Sequence, residues 1–341
     1  MNNYFKSIII ITLNLMLLEG RLYAQFEKKA QVGFRFLSNP IAAEVVGKGA
    51  TGITTTVNSN GIFWNPALLS LVEPKVDVGL NHTEGIADID YNAAAVSFKL
   101  SDIGVIGVSF LAMDYGDFYA TRRASNEQGF IETGVFSPTG IAVGIAFSQK
   151  VSDRFSYGVH LKFVSQDLGS AWIATAGDNL NDPNLSLTQQ EYTNSTIAAD
   201  VGAFYDFHYK GIKFAAVLQN ISKELKYVNE EFPLPFSISF GLSIQPLDFF
   251  MNMQEEQSFI LNFESVHPRD YKEKVKIGGE YKFMNTLFLR AGYMMNYDER
   301  GWTAGIGFKY MVSQIPFRID YAYEPFGVLG DRHYFSVGIS Y

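Results

Sequence analysis

His333-Tyr334-Phe335-Ser336-Val337-Gly338-Ile339-Ser340-Tyr341 reads as a β-strand with two unlike faces. Phe335, Val337, Ile339 and Tyr341 share one parity; Ser336, Gly338 and Ser340 share the other. That is the two-residue side-chain period of a strand. A soluble domain rarely finishes on an exposed large aromatic. A bacterial outer-membrane β-barrel commonly does, because its last strand closes the barrel and carries an insertion signal. Phe335, Val337, Ile339 and Tyr341 are the expected C-terminal insertion signal.

The same pattern recurs upstream. Alternation between turn signals marks strands near 75–81, 90–99, 104–114, 138–149, 154–165, 196–207, 212–221, 235–246, 257–266, 272–283, 287–296, 301–311, 316–323 and 333–341. These are about fourteen, an even number, and most approach the roughly 9–11 residues of a tilted membrane-spanning strand. Every second connection is brief, such as Ser101-Asp102-Ile103, Val151-Ser152-Asp153 and Met284-Asn285-Thr286, with 247–256 the longer exception. The alternate set holds the longest loops, 115–137 and 166–195. Short periplasmic turns opposite long external loops follow from one-way insertion of a barrel. A soluble sandwich has no reason to sort loops by parity. The sequence predicts an all-β transmembrane barrel of about 14 antiparallel strands in the cell outer membrane.

Charge obeys the same parity. Within 272–283, Val275, Ile277, Gly279, Tyr281 and Phe283 face one way, and Lys274, Lys276, Gly278, Glu280 and Lys282 face the other. Arg290, Lys309, Arg318, Asp320 and Glu264 fall on the charged side of their own strands. A Lys or Arg facing lipid near the midplane costs about 2–4 kcal/mol, so these groups are expected in the lumen. Their mixed signs favour pairing that braces the wall over an anion-attracting channel lining. Trp302, Tyr310 and Tyr341 lie near strand ends, where interfacial aromatics gather.

Residues 1–24 read as a signal peptide. Lys6 supplies the basic end, Ile8 to Leu18 is apolar apart from Thr12 and Asn14, and cleavage is expected after Ala24, with an unusually large Leu22 two residues before it. Cysteine is absent, which excludes a lipoprotein anchor, disulfides, thiol nucleophiles and Cys-ligated metals. A formal charge of −8 offers no basic patch for nucleic acid. Hydrophobic residues at 47 % and aromatics at 15 %, with no apolar run long enough for a spanning helix, suit a barrel. No linker divides the chain, so 75–341 is read as one barrel domain.

Residues 25–74 form the exception, because 31–73 do not alternate. Pro40 to Val46 suits a short helix, a Gly-rich turn follows, and Asn65 before Pro66 marks another turn or helix start. So apolar a segment needs shelter from water, either inside the lumen as a hatch or against the periplasmic rim. Phe36-Leu37, Ala42-Ala43-Glu44 and Trp64-Asn65-Pro66-Ala67 together resemble the start of the PorV/PorQ family of outer-membrane proteins, relatives of the FadL fatty-acid channels. Glu264, His267-Pro268-Arg269-Asp270, Gly278-Gly279-Glu280-Tyr281, Leu289-Arg290-Ala291-Gly292-Tyr293 and Asp320-Tyr321-Ala322-Tyr323 extend the likeness over nearly all of the mature chain. The loops 115–137 and 166–195 carry no part of it.

Chemistry-bearing motifs are otherwise missing. His82, His160, His208, His267 and His333 are dispersed without metal-ligand spacing and read as wall or loop histidines. No Gly-x-Ser-x-Gly elbow, phosphate loop or His-Glu-x-x-His occurs, and no Ser/His constellation supports an outer-membrane phospholipase. Asp178, Asn179, Asn181, Asp182 and Asn184 lack the Gly and terminal Glu of a calcium loop and read as solvated. No enzyme activity, cofactor or metal is expected.

The resemblance implies two roles. Barrels like PorV bind cargo of the type IX secretion system and pass it to attachment machinery, and those like PorQ belong to that machinery. Barrels like FadL admit hydrophobic small molecules past a hatch. The expected function is a component or cargo adaptor of type IX protein secretion, with FadL-like uptake as the alternative. The expected partners are outer-membrane lipid and secretion-system proteins or secreted cargo, or a hydrophobic small molecule on the alternative reading.

Overall fold

A computed structural model describes residues 31–101, 103–123, 126–176, 186–250 and 257–341. The signal peptide and the acidic loop 178–184 lie outside them. The barrel strands are β1 (Val76–Glu84), β2 (Asp90–Leu100), β3 (Gly104–Asp114), β4 (Thr139–Lys150), β5 (Phe155–Ala176), β6 (Ser186–Asp206) and β7 (Lys213–Ile221). They continue as β8 (Ser237–Ile244), β9 (Gln257–Pro268), β10 (Lys274–Phe283), β11 (Leu287–Met295), β12 (Trp302–Val312), β13 (Ile315–Pro325) and β14 (Asp331–Ser340).

Each strand pairs antiparallel with its sequence neighbours, and β14 returns to β1 to close a ring of fourteen. Val76 and Tyr341 seal the junction by exchanging backbone bonds of 2.8 and 2.7 Å. Closure pairs both edges of every strand in the ring, which hydrocarbon demands because it offers no competing hydrogen bonds. The short turns have a local cause. Met284-Asn285 and Ser313-Gln314 both take two successive positive φ angles, the primed-turn twist that matches paired strands.

Two of the expected loops turn out to be largely strand. Region 115–137 contains a separate hairpin, Phe118–Arg123 on Phe130–Phe136. Region 166–195 is mostly the outward continuation of β5 and β6, which run for 22 and 21 residues and stay paired to Ala176 and Ser186. Both faces of that extension meet water, so no burial alternation announces it.

Outward positions of the wall carry Val108, Phe110, Ile145, Leu161, Phe163, Leu289, Tyr293, Ile319 and Phe335, all exposed to the surroundings. In a membrane these are lipid contacts. Ile277→Arg should accordingly cost about 2–4 kcal/mol and lower the yield of heat-modifiable, folded barrel. An unchanged yield would argue against the register of β10.

Burial ahead of the first strand is as complete as on the inward face of the wall. Phe34, Phe36, Val45, Val46, Ile53, Ile62, Leu68 and Leu69 are buried almost completely. They belong to residues 31–72, which form short turns of helix at Arg35–Ser38, Ala43–Val46, Ser59–Phe63 and Pro66–Leu71. Asn58 and Asn65 cap two of these turns, accepting from Asn60 N at 2.9 Å and Ala67 N at 3.0 Å. Pro66 follows its cap, where a missing N–H costs nothing. This segment touches β3, β4, β6, β9, β12 and β14, strands on all sides of the ring, so it lies within the ring.

Candidate functional site: the filled lumen and its outer cavity

An irregular backbone buried in protein must find partners for its N–H and C=O groups. Here the inward side chains of the wall supply them. Ser336 Oγ accepts from Ala43 N at 2.8 Å, Thr303 Oγ1 from Gly49 N at 2.9 Å, and Asp77 Oδ1 from Ser59 N at 2.7 Å. Glu264 Oε1 accepts from Ile53 N at 2.8 Å, and Lys276 Nζ donates to Ala50 O at 3.1 Å.

Within the sequence motif, Trp64 Nε1 donates to Ile41 O at 3.1 Å, and Asn65 Nδ2 reaches Ile53 O at 2.9 Å and the wall at Ala203 O at 3.3 Å. Pro66 and Ala67 are buried beneath them. The segment passes so close to β10 and β11 that a Cβ on Gly278 or Gly292 would overlap the backbone of Lys48 and Gly49. Glycine is needed at these two wall positions for space.

The lumen charges divide into groups. Arg290 bridges Glu280 and Asp320, at 2.6 Å to each, and Lys48 stands 3.9 Å from Glu280. Arg318 instead contacts both oxygens of Asp77 at 2.9 Å, tying β13 to β1. Lys276 lies opposite Glu264 in the β9–β10 register. Lys274 sits over the rings of Tyr271 and Tyr297, at 4.7 and 4.3 Å. Lys282 is half-buried, while Lys309 shares the inward parity but is exposed near the β12–β13 turn. The structure thus brings Glu280, Arg290 and Asp320 together and leaves Lys309 apart from them.

Sequence reasoning overlooked Lys48, Asp77, Lys162, Asp200, Arg300 and Glu324, all in ion pairs. The signal was present for Lys162 and Asp200, since both occupy the inward parity of recognised strands. Arg300 and Glu324 pair at the outer rim, where Tyr334 Oη also donates to Glu324 at 2.6 Å. Gln166 Nε2 donates to Tyr115 Oη at 2.8 Å, and Tyr227 Oη donates to Gln166 Oε1 at 3.4 Å. Burial pushes the Tyr115 phenol above its ordinary value and the Tyr227 phenol up to about 12, so both remain neutral caps on the packed segment.

A cavity of about 630 Å³ remains between residues 35–64 and the wall. It runs from His160, Lys162 and Asp200 at mid-wall to residues 270–274 and 296–300, the end from which the long hairpins project.

A closed barrel with apolar outer faces, inward charge and long extensions at one end defines an outer-membrane β-barrel protein. Residues 131–340 match the model of the type IX secretion system membrane protein PorP/SprF family. The chain belongs to that family. The finer PorV/PorQ likeness read from the motifs is not what this match shows. No curated protein matches the chain.

Among solved structures, the Ralstonia pickettii toluene transporter TbuX aligns with a TM-score of 0.57 at 14 % identity, covering 89 % of this chain and 97 % of that one. A Pseudomonas aeruginosa FadL homologue gives 0.57 at 12 % identity, with 89 % and 98 % covered. The Pseudomonas putida toluene transporter TodX gives 0.55 at 13 % identity, with 86 % and 95 % covered. At such identities the likeness is one of fold.

Proposed function

We propose that this barrel serves type IX secretion as a component or cargo adaptor that binds protein at its outer face. The observation that carries the reading is the β5–β6 extension. It projects about ten residues beyond the length of the neighbouring strands and stays paired, a rigid platform that hairpin closure alone does not require. Beside it stands the hairpin 118–136, an isolated two-stranded sheet with free edges. Phe118, Tyr119, Val135 and Trp172 are exposed on these elements among polar neighbours, the composition of a wet protein interface with aromatic anchors. Unpaired strand edges also invite an added strand from a partner.

Residues 31–72 then serve as a hatch that keeps the lumen shut while binding proceeds outside. Trimming 118–136 and the outer part of the β5–β6 hairpin should abolish partner co-purification from mild detergent and leave cargo in the periplasm, with the barrel still folded. The cavity gives uptake of a hydrophobic molecule its own support, and the solved relatives include transporters named for toluene. If trimmed cells secrete normally but lose uptake of an aromatic hydrophobe, the uptake reading displaces the adaptor.

A further inference from the structure

We propose that Ser109, His160 and Asp200 form a nucleophile–base–carboxylate relay that hydrolyses a small carboxylic ester in the lumenal cavity. The three lie on β3, β5 and β6, and no sequence spacing relates them. Ser109 Oγ is 2.8 Å from His160 Nε2, and His160 Nδ1 is 3.1 Å from Asp200 Oδ2. Their order and distances are those of a general-base-activated serine whose imidazole is oriented by a carboxylate. All three line the cavity, and none is more than 3 % exposed.

The surroundings position the relay. Strand β4 separates β3 from β5, and its inward residue between them is Gly144, which pairs with Ser109 on one side and Lys162 on the other. A Cβ at Gly144 would strike His160 Nε2, so only glycine lets the imidazole cross β4 to the serine. Asp200 Oδ1 is engaged separately, by Lys162 Nζ at 2.9 Å and Asn220 N at 2.8 Å. Asn220 reaches it through a β-bulge, in which Ala199 pairs with Ile221 and Val201 with Leu218, and Asn220 takes a left-handed φ of 59°. With Oδ1 occupied, Oδ2 faces His160 alone.

A serine that merely braces the packed segment would bond to it, as Ser148 Oγ does to Ala67 O at 2.9 Å and Ser336 Oγ does to Ala43 N at 2.8 Å. Ser109 instead bonds to His160 and borders open volume. Ile41, Phe63, Trp64, Leu111 and Ala142 line the same cavity and would hold a short acyl chain; Lys274 and Arg300 at its outer end suit an anionic or neutral alcohol portion.

The chemistry balances with water as the second reactant. Ser109 Oγ bonds to the ester carbonyl carbon while its proton passes to His160 Nε2. The carbon–alkoxy bond breaks, and the leaving oxygen takes that proton to depart as an alcohol. Water then attacks the acyl-serine, giving a proton to His160 Nε2, and Ser109 Oγ recovers it as the carboxylic acid leaves. Lys162 lines the same cavity, its Nζ held by Asp200 Oδ1 at 2.9 Å and Asn220 Oδ1 at 2.7 Å, and supplies positive charge beside the relay.

The test uses the full chain, folded in detergent, with a short-alkyl fluorophosphonate and p-nitrophenyl butyrate as probes. Peptide mapping should find the phosphonate on Ser109. Ser109→Ala, which removes one hydroxyl, should keep the heat-modifiable fold, lose the label and lower ester turnover about 10²–10⁴-fold. His160→Asn should leave Ser109 unlabelled. Should that variant not fold, mapping of the wild type and turnover by Ser109→Ala decide the matter. An unlabelled Ser109 in the folded wild type, or equal turnover by Ser109→Ala, would overturn the relay and leave the cluster as a wall brace.

Discussion

Arg290→Met is expected to destabilise the folded barrel by about 3–5 kcal/mol, the usual cost of removing one member of a buried ion-pair network. Arg290 donates to Glu280 and Asp320 at 2.6 Å each, and all three side chains are largely shielded from water. Methionine fills similar volume but leaves the Glu280 and Asp320 carboxylates without their shared partner, with Lys48 3.9 Å from Glu280. The measurement is the denaturant midpoint of the heat-modifiable form, read by electrophoretic mobility. Adding Glu280→Gln and Asp320→Asn to Arg290→Met should recover most of the loss, because the cost lies in unpaired charge. A loss below about 1 kcal/mol for the single variant would show that water already reaches the cluster.

Removing residues 31–72 should convert a barrel that passes little current in a planar bilayer into one with steady, stepwise conductance. A ring of fourteen strands is too wide for wall side chains alone to fill, and in this chain the segment supplies nearly half of the buried apolar residues among those described. Its backbone is held by Asp77, Glu264, Lys276, Thr303 and Ser336, so deletion also strips partners from those inward groups and admits water to them. Gly292→Val is the single-residue version, since the new side chain meets Gly49 and Lys48. It should give intermittent openings without loss of the wall. An intact protein that already conducts steadily would refute the hatch.

The barrel was readable because it rests on a local rule. Lipid on one side and a polar interior on the other force a two-residue alternation, and Lys274 to Phe283 or His333 to Tyr341 shows it without reference to any other strand. Strand count, face assignment and the inward side of Arg290 and Asp320 followed from that rule. The paired extension of β5 and β6 was hidden by the same logic. Beyond the membrane both of its faces are wet, so the alternation that marks a strand is lost.

What the sequence by itself determined, then, was the class of fold and the two-faced alternation of its wall strands. Tertiary structure alone decided which inward groups meet. Ser109, His160 and Asp200 are separated by 51 and 40 residues, and their contact depends on the register of three hairpins and on Gly144 standing between them. The route of residues 31–72 was likewise undetermined until the ring closed, because an irregular backbone has no period of its own. It takes its shape from the donors and acceptors that the finished wall presents.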